Sequence, residues 1–176
     1  LARTGLEASP TAIEGPRGLL LALSPKGNVD LDTEPVPGRS WRSATMRLNI
    51  KKYPVVGAAQ RVIDAVLAMR AAQPVDPRRV RAIETHISQR HAAVMPFHLP
   101  QDALQAKFSV EFAIASALVH GAVGFAELTD AVARDPLMQQ LMRCVTICTT
   151  EEFEPDWRDA APFDLVHFTL DDGSVV

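Results

Sequence analysis

The chain has 176 residues, 47% of them hydrophobic, enough for one ordinary core or for a small domain plus part of another. Lysine and arginine number 18 against 21 aspartates and glutamates, a formal net charge of -3, so no global basic field draws the chain to nucleic acid or to an anionic membrane. The longest apolar run, Gly18 to Leu23, is far short of the roughly 20 residues that a membrane-spanning helix needs, so a soluble, cytoplasmic protein is expected.

In chain order, Pro16 is placed for the first turn leading into Leu19-Leu20-Leu21-Ala22-Leu23, which reads as a short buried helix. Pro25, Gly27, Pro35, Pro37 and Gly38 then interrupt the chain too often for a helix or a central strand. A connector is expected there, dividing residues 1–40 from 41–176. Met46, Leu48 and Ile50 alternate with polar neighbours and predict a strand over Thr45–Ile50. Ala59, Val62, Ile63, Val66, Leu67 and Met69 follow at helical spacing and predict a helix that ends before Pro74.

Val80 to Ser88 alternates as a second strand, and residues 90–100 read as a loop. From Gln101 to Val119 a single helix is predicted, with Leu104, Phe108, Phe112, Ala115 and Val119 on one stripe and Val110, Ile114 and Ala117 on another. Its second half is apolar nearly all round and belongs at the centre of the fold. Phe125 to Arg134 reads as another helix, and Asp135-Pro136 opens a third that runs to about Met142. Cys144–Thr150 and Phe163–Leu170 read as strands, and Asp171-Asp172-Gly173 as a turn. The resulting order, β-α-β-α-α-α-β-β, predicts an α+β fold: a small, largely antiparallel sheet packed with helices, preceded by a short helical remnant. A start at Leu1 rather than Met, and a turn followed only by Ser174-Val175-Val176, lead us to expect a fragment whose hairpin partner lies beyond it.

Chemistry concentrates in two places. Lys51-Lys52-Tyr53-Pro54 sets two cations and a phenol at a strand-to-helix junction, where anionic ligands are favoured. On strand geometry Lys51 and Tyr53 share a face and Lys52 takes the other, which makes Lys51 the better partner for the tyrosine. The second place is Ala106-Lys107-Phe108-Ser109-Val110-Glu111-Phe112, where polar groups interrupt an apolar helix. Ser109 has no His-acid arrangement near it in sequence, and serine in an apolar helix more often bonds its own backbone. His86, His91 and His98 lack a Cys or carboxylate at metal-ligand spacing, so no metal site is read from the sequence. Cys144 and Cys148, four apart on one predicted strand, share a face without an easy bridge and are expected to be reduced thiols.

Lys51-Lys52-Tyr53-Pro54-Val55-Val56-Gly57-Ala58-Ala59-Gln60, with Asp64 and Ala65 after it, resembles the Lys-x-aromatic-Pro segment of the MmgE/PrpD family. Ala106-Lys107-Phe108-Ser109-Val110-Glu111-Phe112-Ala113-Ile114-Ala115 is similar to that family's Ala-x-Phe-Ser-x-x-Tyr-x-x-Ala helix, and Glu14-Gly15-Pro16-Arg17-Gly18 resembles the end of its large helical domain. The family includes 2-methylcitrate dehydratase, cis-aconitate decarboxylase and iminodisuccinate epimerase.

The resemblance implies a site between a helical domain and an α+β lid, the latter beginning near Trp41 here. Without metal or organic cofactor, such a site removes a proton beside a carboxylate of a small di- or tricarboxylate, in a homodimer built through the helical domain. A buried lysine suits that chemistry, which must neutralise carboxylates and stabilise an enolate-like charge. Lys51 matches the family lysine and takes the catalytic role, with Lys52, Tyr53, Lys107 and Ser109 as substrate-binding residues. Two positions depart from the family pattern: Val56 stands where His or Cys is common, and Phe112 where Tyr is common. Neither side chain transfers a proton. Most of the family's acid and base groups belong to the helical domain, so a chain containing only the lid is expected to be inactive by itself. Two other classes fit the sequence: a stand-alone α+β ligand-binding or dimerisation module, and a redox module using Cys144 and Cys148.

Overall fold

The computed structural model describes residues 2–5, 7–23, 38, 50–155 and 160–176. The chain divides into two compact units, residues 1–48 and 49–176. In the first, a turn of 3-10 helix at Ala2–Thr4 precedes helix α1, Leu19–Leu23. α1 was expected to be buried, yet it has no buried residue, and Leu19, Leu20, Leu21 and Leu23 are exposed. Five residues make little more than one turn, and no described residue covers them. The strand expected at Thr45–Ile50 lies outside the described residues except for Ile50, which is exposed and irregular.

The second unit is α+β. A 3-10 turn, Gly57–Ala59, leads into helix α2, Gln60–Ala72, which stops where Gln73 becomes extended ahead of Pro74. Strand β1 is Val80–Ser88. Ser88 then accepts the His91 N–H at 3.1 Å and caps a helix missed in the sequence, α3, Gln89–Ala93. The single helix expected over Gln101–Val119 is two: α4, Ala103–Ala106, and α5, Val110–His120. Asp102 caps the first through the Gln105 N–H and Ser109 the second through the Phe112 N–H, so the chain restarts at Ser109. α5 closes on Gly121, whose φ of 69° suits a left-handed C-terminal cap. Of the helix expected over Phe125–Arg134, only α6, Asp130–Ala133, is helical, beginning at the Thr129 cap. Helix α7, Pro136–Arg143, starts as predicted, with Asp135 accepting from Leu137 N and Met138 N. Strands β2, Val145–Thr150, and β3, Leu165–Leu170, complete the elements.

The sheet order is β2-β1-β3. β1 runs antiparallel to β3 but parallel to β2, so the sheet is mixed rather than largely antiparallel. Residues 89–144, which carry α3 through α7, form the long crossover that a parallel pair requires. The turn at Asp171–Gly173 returns the chain onto β3 itself: Phe168 N donates to Val176 O at 2.8 Å and Val176 N to Phe168 O at 2.9 Å. The last residues thus pair with the end of β3. Arg79 braces this turn from the start of β1, bonding Asp171 at 2.9 Å and Asp172 at 2.6 Å. Ser174, more than Arg79, holds the Asp172 carboxyl down at about 2.

One face of the sheet carries the core. Ile83, Thr85 and Ile87 of β1 and Phe168 and Leu170 of β3 are buried with Val62, Ile63 and Val66 of α2, the whole of α5 through Leu118, and Met138, Leu141 and Met142 of α7. A bidentate pair from Arg61 to Asp164, at 3.0 and 2.5 Å, ties α2 to the approach to β3, with the Asp164 side chain only 2% exposed. Cys144 ends α7 rather than lying in β2, so the two cysteines do not share a strand face; both are free thiols.

Candidate functional site

Residues 51–56 form a bend rather than a strand end, and Gln60 builds it. From the first turn of α2, the Gln60 side-chain carbonyl accepts from Lys52 N and Tyr53 N, both at 2.9 Å, while its amide donates to Tyr53 O at 3.0 Å. One turn on, Asp64 Oδ1 receives the Tyr53 hydroxyl at 2.7 Å and Lys52 Nζ at 2.5 Å. Gln60 and Asp64 stand four apart on one face of the helix, which is why a single helical face grips both backbone and side chains of the bend.

This geometry corrects the strand-based expectation. Lys52, not Lys51, is the lysine that meets Tyr53, and its ammonium also lies 5.2 Å from the ring centre. Hydrogen bonds from Lys52 and then Tyr53 hold the Asp64 carboxyl below its usual range. Burial, followed by the bond to Asp64, pushes the Tyr53 phenol up, and the bond to Asp64 raises the Lys52 ammonium. Tyr53 is buried, whereas Lys51 is exposed and makes no ion pair or hydrogen bond to any described residue.

The second motif is a turn between two helices. Lys107 ends α4, and its carbonyl accepts Val56 N at 2.9 Å, so the two sequence motifs are in direct backbone contact. Ser109 is buried; its hydroxyl accepts from Phe112 N at 3.1 Å and donates to Glu111 Oε2 at 3.1 Å. That oxygen is thus committed to capping, in keeping with the structural role read from the sequence. Phe112 is fully buried and Val56 packs against the core, so the two positions that depart from the family pattern are packing positions here.

Glu111 was not singled out in the sequence. It is 3% exposed, its Oε1 lies 2.6 Å from Nδ1 of His98, and the His98 side chain is 70% exposed. A buried carboxylate in the first turn of a helix is favoured by the helix dipole, and here it also fixes one ring nitrogen of an imidazole whose body faces solvent. That is an arrangement suited to proton transfer. The available signal was the acidic residue inside an otherwise apolar, centrally placed helix. Its partner, thirteen positions earlier in a loop, left no pattern to read.

A family model for the MmgE/PrpD C-terminal domain matches residues 53–176. The chain belongs to this family. The matched stretch of the MmgE/PrpD domain begins at Tyr53, takes in the bend from there onward and all of the Lys107–Ser109 turn, and leaves Lys51 and Lys52 immediately before it. No curated protein matches the chain. No helix among the described residues is long and apolar enough to cross a membrane.

Proposed function

We propose that this chain is the lid-containing C-terminal part of an MmgE/PrpD-type lyase or isomerase, acting on small di- or tricarboxylates by removing a proton beside a carboxylate. The observation that carries this reading is the hydrogen bond from Val56 N to Lys107 O, which joins the two lysine-bearing motif segments into one patch. Residues 41–176 are the lid, and residues 1–40 the end of a helical domain and its connector. The helical domain closes the pocket and pairs two copies of the cytoplasmic enzyme.

Within the patch the two adjacent lysines have different tasks. Lys52 is neutralised by Asp64 and, with Tyr53, shapes the bend. Lys51 has no carboxylate partner among the described residues, so a substrate carboxylate or the adjacent C–H is its natural target once a second domain dries the pocket. Lys107 offers a second cation, and Ser109 holds the α5 N-terminus, and with it Glu111, in place. With Val56 and Phe112 unable to transfer a proton, the Glu111–His98 pair stands beside Lys51 as a second group that can.

The test uses the polypeptide carrying both the helical domain and this chain. Citrate, 2-methylcitrate, cis-aconitate and iminodisuccinate are each offered in deuterated buffer, and exchange or loss of the C–H beside a carboxylate is followed by NMR. One acid should turn over, and Lys51→Ala should lower its rate at least about 100-fold, as expected for loss of an acid–base group. Unchanged turnover in Lys51→Ala would remove that lysine from the chemistry. Exchange with none of the four acids would instead favour a binding or dimerisation module.

A further inference from the structure

The sheet has a second face, opposite the core, and its side chains are of a different chemical kind. Alternation along β1 turns Glu84 and His86 to this side, away from Ile83, Thr85 and Ile87. The parallel register sets Cys148 of β2 directly beside His86, and the antiparallel register sets His167 of β3 beside Glu84. A carboxylate, two imidazoles and a thiol thus occupy adjacent positions on three neighbouring strands. The ligand atoms of Glu84, His86 and Cys148 all lie within 4.8 Å of one another. The His86 and His167 rings meet edge to face with centres 6.3 Å apart.

We infer that Glu84, His86 and Cys148 form a binding site for a divalent transition-metal ion, zinc above all, with His167 bordering its fourth position. Zinc takes this mixture of sulfur, nitrogen and oxygen donors at about 2.0–2.3 Å in tetrahedral geometry, which calls for donor separations of roughly 3.3–3.6 Å. Donor atoms within 4.8 Å of one another, on strands in a defined register, already lie close to that spacing.

Glu84 Oε1 and His86 Nε2 now lie 2.6 Å apart in a contact that the metal would replace, the neutral imidazole then carrying its proton on Nδ1 so that Nε2 donates its lone pair. Their side chains are 53% and 42% exposed, so an ion enters from solvent without unfolding the sheet. On binding, the Cys148 thiol releases its proton to solvent and the thiolate donates the sulfur lone pair. One thiolate and one carboxylate then balance the two charges of the ion. Cys144, four residues earlier at the end of α7, is not one of these three ligands and serves as an internal control.

The experiment uses the 176-residue chain, reduced and stripped of metal, titrated with Co²⁺ and then with Zn²⁺. One equivalent of Co²⁺ should produce the visible bands of a tetrahedral site together with a near-ultraviolet thiolate-to-cobalt band, and Zn²⁺ should displace both. Cys148→Ser should abolish the thiolate band, Cys144→Ser should leave it intact, and His86→Ala should weaken Zn²⁺ binding at least about 10-fold, the usual scale for disturbing a ligand shell. Glu84→Gln, on an exposed position, should weaken binding while leaving far-ultraviolet circular dichroism unchanged, so loss of the site is separable from loss of the fold. A chain that gives no thiolate band with excess Co²⁺, or one whose band survives Cys148→Ser, would overturn the assignment.

Discussion

Helix α5 is buried from Val110 through Leu118, whereas the bend at residues 51–56 leaves both lysines in solvent and sinks Tyr53 and Val55. The two regions are bridged by the turn at Lys107, yet they are held by different physics. α5 is fixed by close packing on all sides, so its position depends on side-chain volume. The bend is fixed by two polar side chains of α2 that satisfy backbone and phenol groups, so its shape depends on hydrogen-bond geometry and on charge. A rigid apolar helix can therefore present Ser109 and Glu111 at a constant place while the bend opposite responds to solution conditions.

The difference can be broken from the packed side first. Phe112→Ala should destabilise the chain by about 3–5 kcal/mol, the cost of deleting a fully buried aromatic ring, with a lowered midpoint in urea denaturation. Phe112→Tyr tests the same position without the loss of volume. Ser109→Ala is next. It removes the α5 cap and one partner of buried Glu111, and should cost roughly 2 kcal/mol in the same assay.

Tyr53→Phe removes the hydroxyl bond to Asp64 and should cost about 1 kcal/mol near neutral pH. The pH dependence of that cost sharpens the contrast. Asp64 is held below its usual carboxyl range, so its contribution is present above about 3.9, the unfolded value, and is lost as pH falls through the lower folded value. The Tyr53 phenol and the Lys52 ammonium are both raised, so their contributions are complete below about 10 and are lost as pH rises through their folded values. The difference between Tyr53→Phe and the unaltered chain should accordingly be level across neutral pH and shrink in acid. The Phe112→Ala difference, which rests on volume, should not follow this profile.

Much of the packed region was legible in the sequence for the same reason that it is stable. Apolar periodicity marked α2 and α5, alternation marked β1 and β3, and Asp135-Pro136 marked the start of α7. What periodicity concealed was the break at Lys107–Ser109, because apolar positions on α4 and α5 happen to continue one stripe across a turn that the Ser109 cap creates. The bend was harder. Its shape rests on Gln60 and Asp64 reaching back seven to twelve residues, and no local rule assigns those contacts. The pairing of Glu111 with His98 and of His86 with Cys148 likewise follows from tertiary packing and strand register, which spacing along the chain does not encode.

The position of β1 between β2 and β3 has a consequence for how the protein is made. β1 is the first strand of the sheet to leave the ribosome, but both neighbours come from later sequence, beginning at Val145 and Leu165. Until residues 89–144 have been synthesised and folded back, the peptide groups on both edges of β1 lack their β2 and β3 partners, while its Ile83 and Ile87 face lacks the α5 and α7 side chains that join it in the core. Sheet completion is thus a late event of high contact order. The nascent chain passes through an interval in which both edges of β1 await their partners, and that interval lengthens with every residue inserted into the helical crossover.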